Sequence, residues 1–352
     1  MRKPPPKLNN VAQASGISEH LRPTRRKSIP MAEFMDWEFA ADENLLGPII
    51  ASGSTGMIVA PRGLGKSLLV MHIAYAVAGG KRLHPWGSGS GSVVVYLDGE
   101  MKKKEFHDRL QQIMNRDTKH GSKALVAGNL HLIGRDAFEH VIGFIDNEED
   151  QTFIESMLPE SCRLLIVDNL SAWTSSARED GTAFAPIKRW LSRLRTKGIA
   201  VLLVHHTGKT GSSQRGTSIH EDMLDYSILL RENKANKPKN GTSFLLEHTK
   251  LRGLHPDLPK VCRYTFTTDA LTNVMDHHYE DVKGEHISEA NAAIIELLKE
   301  GKSGKEVAQA LGITASKVSR AKSEIDKELQ AAIEAAQVVR AAKTKARGGN
   351  HD

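Results

Sequence analysis

Residues 60–67, Ala60-Pro61-Arg62-Gly63-Leu64-Gly65-Lys66-Ser67, carry the side chains a phosphate chain needs. Glycines let backbone N–H groups close around phosphate oxygens, a lysine neutralises their charge, and a serine hydroxyl can join a divalent cation. The spacing is that of the phosphate loop G-x-x-x-x-G-K-[ST], with Ala60 standing where the first glycine is usual. Its flanks suit the role. "GMIVA" (56–60) reads as a strand and "SLLVMHIAYAVA", from Ser67, as a helix whose N-terminus faces the loop. The expected ligands are ATP and Mg²⁺, held by residues 60–68, through Leu68. Lys66 is expected on the β- and γ-phosphates and Ser67 on the metal.

Such a loop needs a carboxylate for the metal and a group that orients or deprotonates water. "RLLIVDN" ends an apolar run with Asp168, the expected second Mg²⁺ ligand. "VVVYLDGEM" ends the run after the loop's helix with Asp98 and Glu100. Glu100 can serve as the base, or simply open the next helix.

The element "YLDGE" resembles RecA-type ATPases, which hold a catalytic glutamate at the end of this strand. Further along, "VLLVHHTGK" followed by "SQRGTS" resembles the RepA-type plasmid replicative hexameric helicases and their RecA-like relatives. The resemblance covers residues 31–275. It implies a RecA-like P-loop NTPase core with a twisted, mostly parallel sheet. It also implies that His205 senses the γ-phosphate, with His206 as the alternative. The loop 207–218, with Lys209 and Arg215, would face single-stranded DNA in the channel of a homo-hexameric ring. In "LLEHTKLRG" it implies that Lys250 and Arg252 reach the neighbouring subunit's γ-phosphate, Arg215 being a second candidate for that finger. The activity implied is that of an ATP-dependent DNA helicase of a plasmid, phage or mobile element. A DNA-binding ATP switch that does not translocate is the alternative.

The elements that must position these residues are legible as short apolar runs alternating with helical segments, the pattern of an α/β domain. The strands expected are 56–60, 92–98, 130–134, 163–168, 200–206, 226–230, 242–250 and 263–269. "LLIV" and "VLLV" are apolar on both faces, as in strands covered on both sides. "APIKRWLSRLRTKG" has helical spacing and stops at glycine.

Residues 276–286, "DHHYEDVKGEH", break the pattern and read as a linker; the histidines lack a partner cluster of metal-ligand spacing. Residues 287–330 read as a small all-α helix-turn-helix domain. Ala308, Gly312, Ile313 and Val318 hold the expected spacing, and Lys317, Arg320 and Lys322 face outward toward duplex DNA. With eight acidic and seven basic residues over 284–330, a bundle for protein contacts is the alternative. Residues 331–352 read as an Ala/Lys-rich helix and tail.

The 352-residue chain has 39% apolar and 26% charged residues, as soluble globular proteins do. Its net charge of +6 resides in residues 1–30, a Pro-rich arm expected to be disordered, with seven Lys/Arg and one Glu. No run approaches the roughly 18 apolar residues of a membrane span. The basic N-terminus lacks the apolar stretch of a secretory signal. Two cysteines exclude a disulfide framework and fit a cytoplasmic protein.

Overall fold

The computed structural model describes residues 28–38, 41, 43–117, 120–135, 142–175, 184–206, 222–233, 238–253, 255, 257–282, 289–323, 333, 334 and 337. The chain divides into two units, residues 1–43 and 44–352. In the first, helix α1 (Met31–Met35) is the one described element, with Phe34 and Trp37 in ring contact. The remainder of the expected N-terminal arm, residues 1–27, lies outside the described residues.

The second unit opens with the short pair β1 (Asn44–Leu46) and β2 (Ile50–Ala51). Strand β3 (Thr55–Ala60) then leads into helix α2 (Lys66–Gly79). After the ribbon β4 (Arg82–Leu83) and β5 (Gly87–Ser88) come β6 (Val93–Asp98), α3 (Lys103–Asn115), α4 (His120–Asn129) and β7 (Leu130–Gly134). The chain continues through α5 (Glu148–Met157), β8 (Cys162–Asp168), α6 (Ala185–Thr196) and β9 (Ala200–His206). Four antiparallel-paired strands close the domain: β10 (Tyr226–Glu232), β11 (Gly241–Leu251), β12 (Val261–Asp269) and β13 (Val274–Asp281). All eight expected strands are present within two residues of their expected ends.

One nine-stranded sheet runs β13-β12-β11-β10-β3-β9-β8-β6-β7. From β10 to β7 the pairings are parallel, and from β10 to β13 antiparallel. This is the mostly parallel α/β sheet of a RecA-like P-loop core.

Helix α2 is buried nearly all round, with Leu69, Val70, Ile73, Ala74 and Val77 among its enclosed residues. A helix apolar on every side must lie between layers, and α3 and α4 supply the outer cover through Phe106, Ile113 and Val126. On the opposite sheet face, α6 buries Ile187, Trp190, Leu191 and Leu194, the stripe of a helix with one covered side.

Strand side chains alternate between faces, and here the alternation follows parity. Ile58, Ala60, Tyr96, Ile166, Leu202 and Val204 pack in the α2 layer, whereas Met57, Val59, Leu97, Val167 and Leu203 pack in the α6 layer. Even-numbered positions of β3, β6, β8 and β9 therefore face α2.

The linker expected over 276–286 is corrected: residues 276–281 belong to β13, paired with β12 from Cys262↔Asp281 to Asp269↔Val274. Residues 283–288 lie outside the described set. An edge strand buries little: in β13 only Met275 is buried, and the inward positions that alternate with exposed ones after it are His277 and Tyr279, half-buried and polar enough to hide the strand in the sequence.

Beyond it, α7 (Glu289–Lys299), α8 (Gly304–Leu311) and α9 (Ala315–Ser323) share a small core of Ile294, Leu298, Val307, Val318 and Ile333. Ser303 and Glu306 cap α8 reciprocally, and the helix stops at Gly312 with φ 61°. Of the expected tail helix, 331–352, only residues 333, 334 and 337 are described. Both cysteines are free and buried.

Candidate functional site

The even-numbered ends of β6, β8 and β9 deliver Asp98, Asp168 and His206 to the end of α2, where the chain leaves β3 through the loop 61–65. Asp168 and His206 border a cavity of about 230 Å³, lined also by Gly63, Gly65, Lys66, Ser67 and Glu100. Arg109, Asn169 and Thr242, which the sequence reading did not single out, line it too.

The loop's shape rests on two glycines. Gly63 has φ 75° and Gly65 φ 98°, in the region that L side chains avoid. A Cβ on Gly65 would stand 2.9 Å from Thr242 Cγ2. Ala60 is different. It ends β3 in register with His206 and is not among the positive-φ residues, so alanine replaces the usual glycine without backbone conflict.

Lys66 is 5% exposed, and its ammonium donates to the carbonyls of Ala60 (2.9 Å) and Pro61 (2.8 Å). Burial lowers its pKa from 10.5 to about 8, against the opposing pull of Asp168 and Glu100. It therefore still carries a proton at neutral pH. Asp168 is buried, and desolvation raises its pKa, opposed by hydrogen bonds from Tyr96 and Ser67 and by the charge of Lys66. The Tyr96 hydroxyl donates to Asp168 Oδ2 at 2.5 Å. A buried carboxylate beside a serine hydroxyl and a lysine fits a divalent cation on a phosphate. Asp168 and Ser67 would hold Mg²⁺, and Lys66 with the loop N–H groups would hold the phosphates.

The two carboxylates of "LDGE" differ. Asp98 is 3% exposed and accepts from the Met101 N–H at 3.0 Å, so it braces the turn. Glu100 has a side chain 53% exposed and its Oε1 3.7 Å from His206 Nε2. It is the carboxylate free to meet a water at the cavity.

Parity separates the two candidate histidines. His205, the expected residue, is 3% exposed on the α6 face of β9, whereas His206 faces the cavity. Asn169 fixes it: Oδ1 accepts from the Ala172 N–H (3.1 Å), so Nδ2 turns toward His206 Nε2 at 3.0 Å. Burial and the nearby Lys66 charge lower the His206 pKa, leaving a neutral ring.

Lys250 and Arg252 are not at this cavity. Leu251 pairs with Tyr226, and Tyr226 with Gly56, so the end of β11 lies level with the start of β3. The loop 61–65 leaves β3 at its other end, about 17 Å away at roughly 3.3 Å per residue. There the Arg252 guanidinium meets Asp225 Oδ1 (3.2 Å) and the Asp222 carbonyl (2.8 Å). Asp225 also pairs with Arg195 and accepts from the Thr55 N–H at 2.7 Å. Lys209 and Arg215 lie outside the described residues. Lys317 and Arg320 fall on α9 with side chains outside the described set, and Lys322 on the same helix is half-buried. Among the described residues no cluster of three or more His, Cys, Asp or Glu could hold a metal by itself. No described helix is long and apolar enough to cross a membrane.

Sheet order, loop and buried cation–carboxylate pair define a RecA-like P-loop nucleotide site. A model of the family described as "AAA domain" matches residues 21–212, more than half of the chain, and the chain belongs to that family. It is a nucleotide-hydrolysing ATPase. The chain is similar to the flagellar accessory protein FlaH from Methanocaldococcus jannaschii, at 15% identity over 65% of this chain and 91% of that one, TM-score 0.44. A KaiC-like protein from Pyrococcus horikoshii OT3 shows 13% identity over 65% and 91%, also with TM-score 0.44.

Proposed function

We propose that this ATPase forms a ring, a hexamer by its resemblance to the RepA-type helicases, and moves along single-stranded DNA as a helicase of a plasmid, phage or mobile element. One observation carries the reading. Arg252 and Lys250 sit at the end of the strands opposite the phosphate loop, out of reach of their own nucleotide. A cation pair that serves hydrolysis from there serves a neighbouring subunit.

In this reading the loop N–H groups and Lys66 bind the phosphates, while Ser67 and Asp168 fix Mg²⁺. The metal, when bound, neutralises charge that develops between the β- and γ-phosphates. Glu100 takes a proton from the attacking water through its exposed carboxylate. His206, oriented by Asn169, has its ring beside Glu100 and is the last residue of β9. A change in charge beside Glu100 therefore bears directly on the base of the 207–218 loop, which would carry Lys209 and Arg215 against the DNA backbone. Arg252 and Lys250 of the next subunit complete the charge stabilisation.

Helices α8 and α9, joined through Gly312, have the turn length of a helix-turn-helix. We read them as a duplex DNA contact through Lys317, Arg320 and Lys322. The second reading, a DNA-binding ATP switch without translocation, is favoured by one observation: Arg252 already has partners, Asp225 and the Asp222 carbonyl, within its own chain.

The test is the ATPase rate with and without single-stranded DNA, alongside displacement of a strand from a forked duplex. Stimulation with displacement supports the motor. Stimulation without displacement moves the assignment to the switch, and no response to DNA refutes both.

A further inference from the structure

The end of β11 is built to aim a side chain. Ile228 pairs with His248 and Ser227 with Lys250, so Thr249 is an extra residue and β11 carries a bulge against β10. A bulge changes which face the following side chains occupy. Before it, the even-numbered Phe244 and Leu246 pack in the α2 layer; after it, the odd-numbered Leu251 does. Lys250 is thereby turned to the α6 side of the sheet, and Arg252, one residue past the strand, continues the same alternation.

On that side Arg252 meets Asp225, and Asp225 is itself fixed. Its Oδ2 accepts from the Thr55 N–H at 2.7 Å and pairs with Arg195 of α6. Arg195 is anchored in turn, its Nε donating to the Gly53 carbonyl at 2.9 Å. The backbones are tied as well: the Asp225 N–H donates to the Thr55 carbonyl and the Arg252 N–H to the Asp225 carbonyl, each at 2.7 Å. Asp225 Oδ1 and the Asp222 carbonyl then take one N–H from each terminal nitrogen of Arg252, at 3.2 and 2.8 Å. A guanidinium carries five N–H groups in a rigid fork. Two acceptors on different residues therefore fix its plane and leave further donors on a side chain 51% exposed. Ion pairs this exposed add little to stability; what the grip supplies is direction.

Resting on the neighbouring-subunit role proposed above for Arg252, we propose that Asp225 is its positioning residue. Asp225 holds the guanidinium where it meets the γ-phosphate bound by the adjacent subunit. Orientation matters there, because displacing a group that acts on the transition state by about 1 Å costs up to about 10²-fold in rate.

ATP turnover and ATP affinity of full-length Asp225→Asn test this. The amide keeps the shape of the carboxylate and removes the charge that orients Arg252. Turnover should fall about ten- to hundredfold while affinity stays within about twofold. Further readouts separate positioning from a loss of stability. Mixing with Lys66→Ala protein should restore part of the rate, because an Asp225→Asn subunit keeps an intact phosphate loop for a neighbour's Arg252. Adding Asp225→Asn to Arg252→Ala should cost no further turnover. Arg195→Ala removes a partner of the same carboxylate without touching Arg252, and should keep turnover within about twofold. Should the amide variant not fold, Asp225→Glu displaces the charge by one methylene and is read in the same ways. Normal turnover in Asp225→Asn while Arg252→Ala is impaired overturns the positioning role alone. Normal turnover in both overturns the role of Arg252 with it. A faster Asp225→Asn would make the contact a restraint on Arg252, and an equal loss in Arg195→Ala would make Asp225 a structural lock; either refutes the proposal.

Discussion

Tyr96→Phe is the most informative single perturbation of the nucleotide site, because it removes one atom and leaves the packing in place. Tyr96 is fully buried, touches Phe106 with ring centroids 5.1 Å apart, and donates its hydroxyl to Asp168 at 2.5 Å. Phenylalanine preserves the ring contact and deletes the donor. A hydrogen bond to a charged group contributes about 1.5–3 kcal/mol, and the carboxylate it serves is 4% exposed, so water cannot replace it. A loss of about 2 kcal/mol lowers the melting temperature by roughly 4–8 °C in a domain of this size. The larger effect falls on the metal. Without the hydroxyl the Asp168 carboxylate is free to rotate and holds its proton more tightly, and loss of such an outer partner weakens metal binding by about 10–100-fold. Titrating Mg²⁺ against ATP hydrolysis should show this shift, while nucleotide binding without Mg²⁺ stays nearly unchanged. A Mg²⁺ midpoint identical to that of the parent protein would refute the orienting role of Tyr96 and weaken Asp168 as the ligand.

Lys66→Ala should abolish hydrolysis in a folded protein; normal turnover by a well-folded variant removes the phosphate-loop assignment. Glu100→Gln should keep ATP binding and slow hydrolysis by about 10²–10⁴, whereas Asp98→Asn should act on stability first, since Asp98 holds the Met101 amide. Arg252→Ala should reduce turnover by about 10³–10⁵ with ATP affinity intact. Mixing it with Lys66→Ala protein should restore part of the rate, and strict additivity despite subunit exchange rules out a site shared between chains. The acid side of the stability profile should report His72. Its folded pKa of about 3 lies below the ordinary 6.5, so the unfolded chain binds the extra proton and stability falls as pH drops through 6.5. At pH 5 that amounts to about 2 kcal/mol, and urea midpoints of His72→Phe should depend less on pH between 7 and 5.

Most of the sheet was legible because its strands are enclosed. "GMIVA", "VVVYLD", "RLLIVD" and "AVLLVHH" have nearly no polar positions, and burial on both faces is what such runs mean. Strand β13 escaped for the opposite reason. Its sequence, Val-Met-Asp-His-His-Tyr-Glu-Asp, is written by the demands of an edge, where charge is tolerated and one buried methionine suffices.

The site was legible in its loop and less so around it, since a motif names residues and a fold decides which way they point. His205 and His206 are chemically the same in the sequence, and only their parity relative to α2 separates them. That parity was within reach. Asp168 ends β8 as His206 ends β9, and the two even-numbered residues must share a face if the β8 carboxylate serves the α2 loop. Tyr96 follows by the same rule, two residues before Asp98 on the strand beside β8. It was hidden because a tyrosine inside "VVVYLD" reads as core packing, which its ring is. Its hydroxyl becomes functional only because β6 and β8 are neighbours in the sheet, a relation between segments some seventy residues apart. Arg252 lies furthest from sequence reasoning. Its distance from the loop is set by an antiparallel turn-back of β11 on β10, a topological fact that the residues "LLEHTKLRG" do not carry and that the neighbouring-subunit role implied by the resemblance requires.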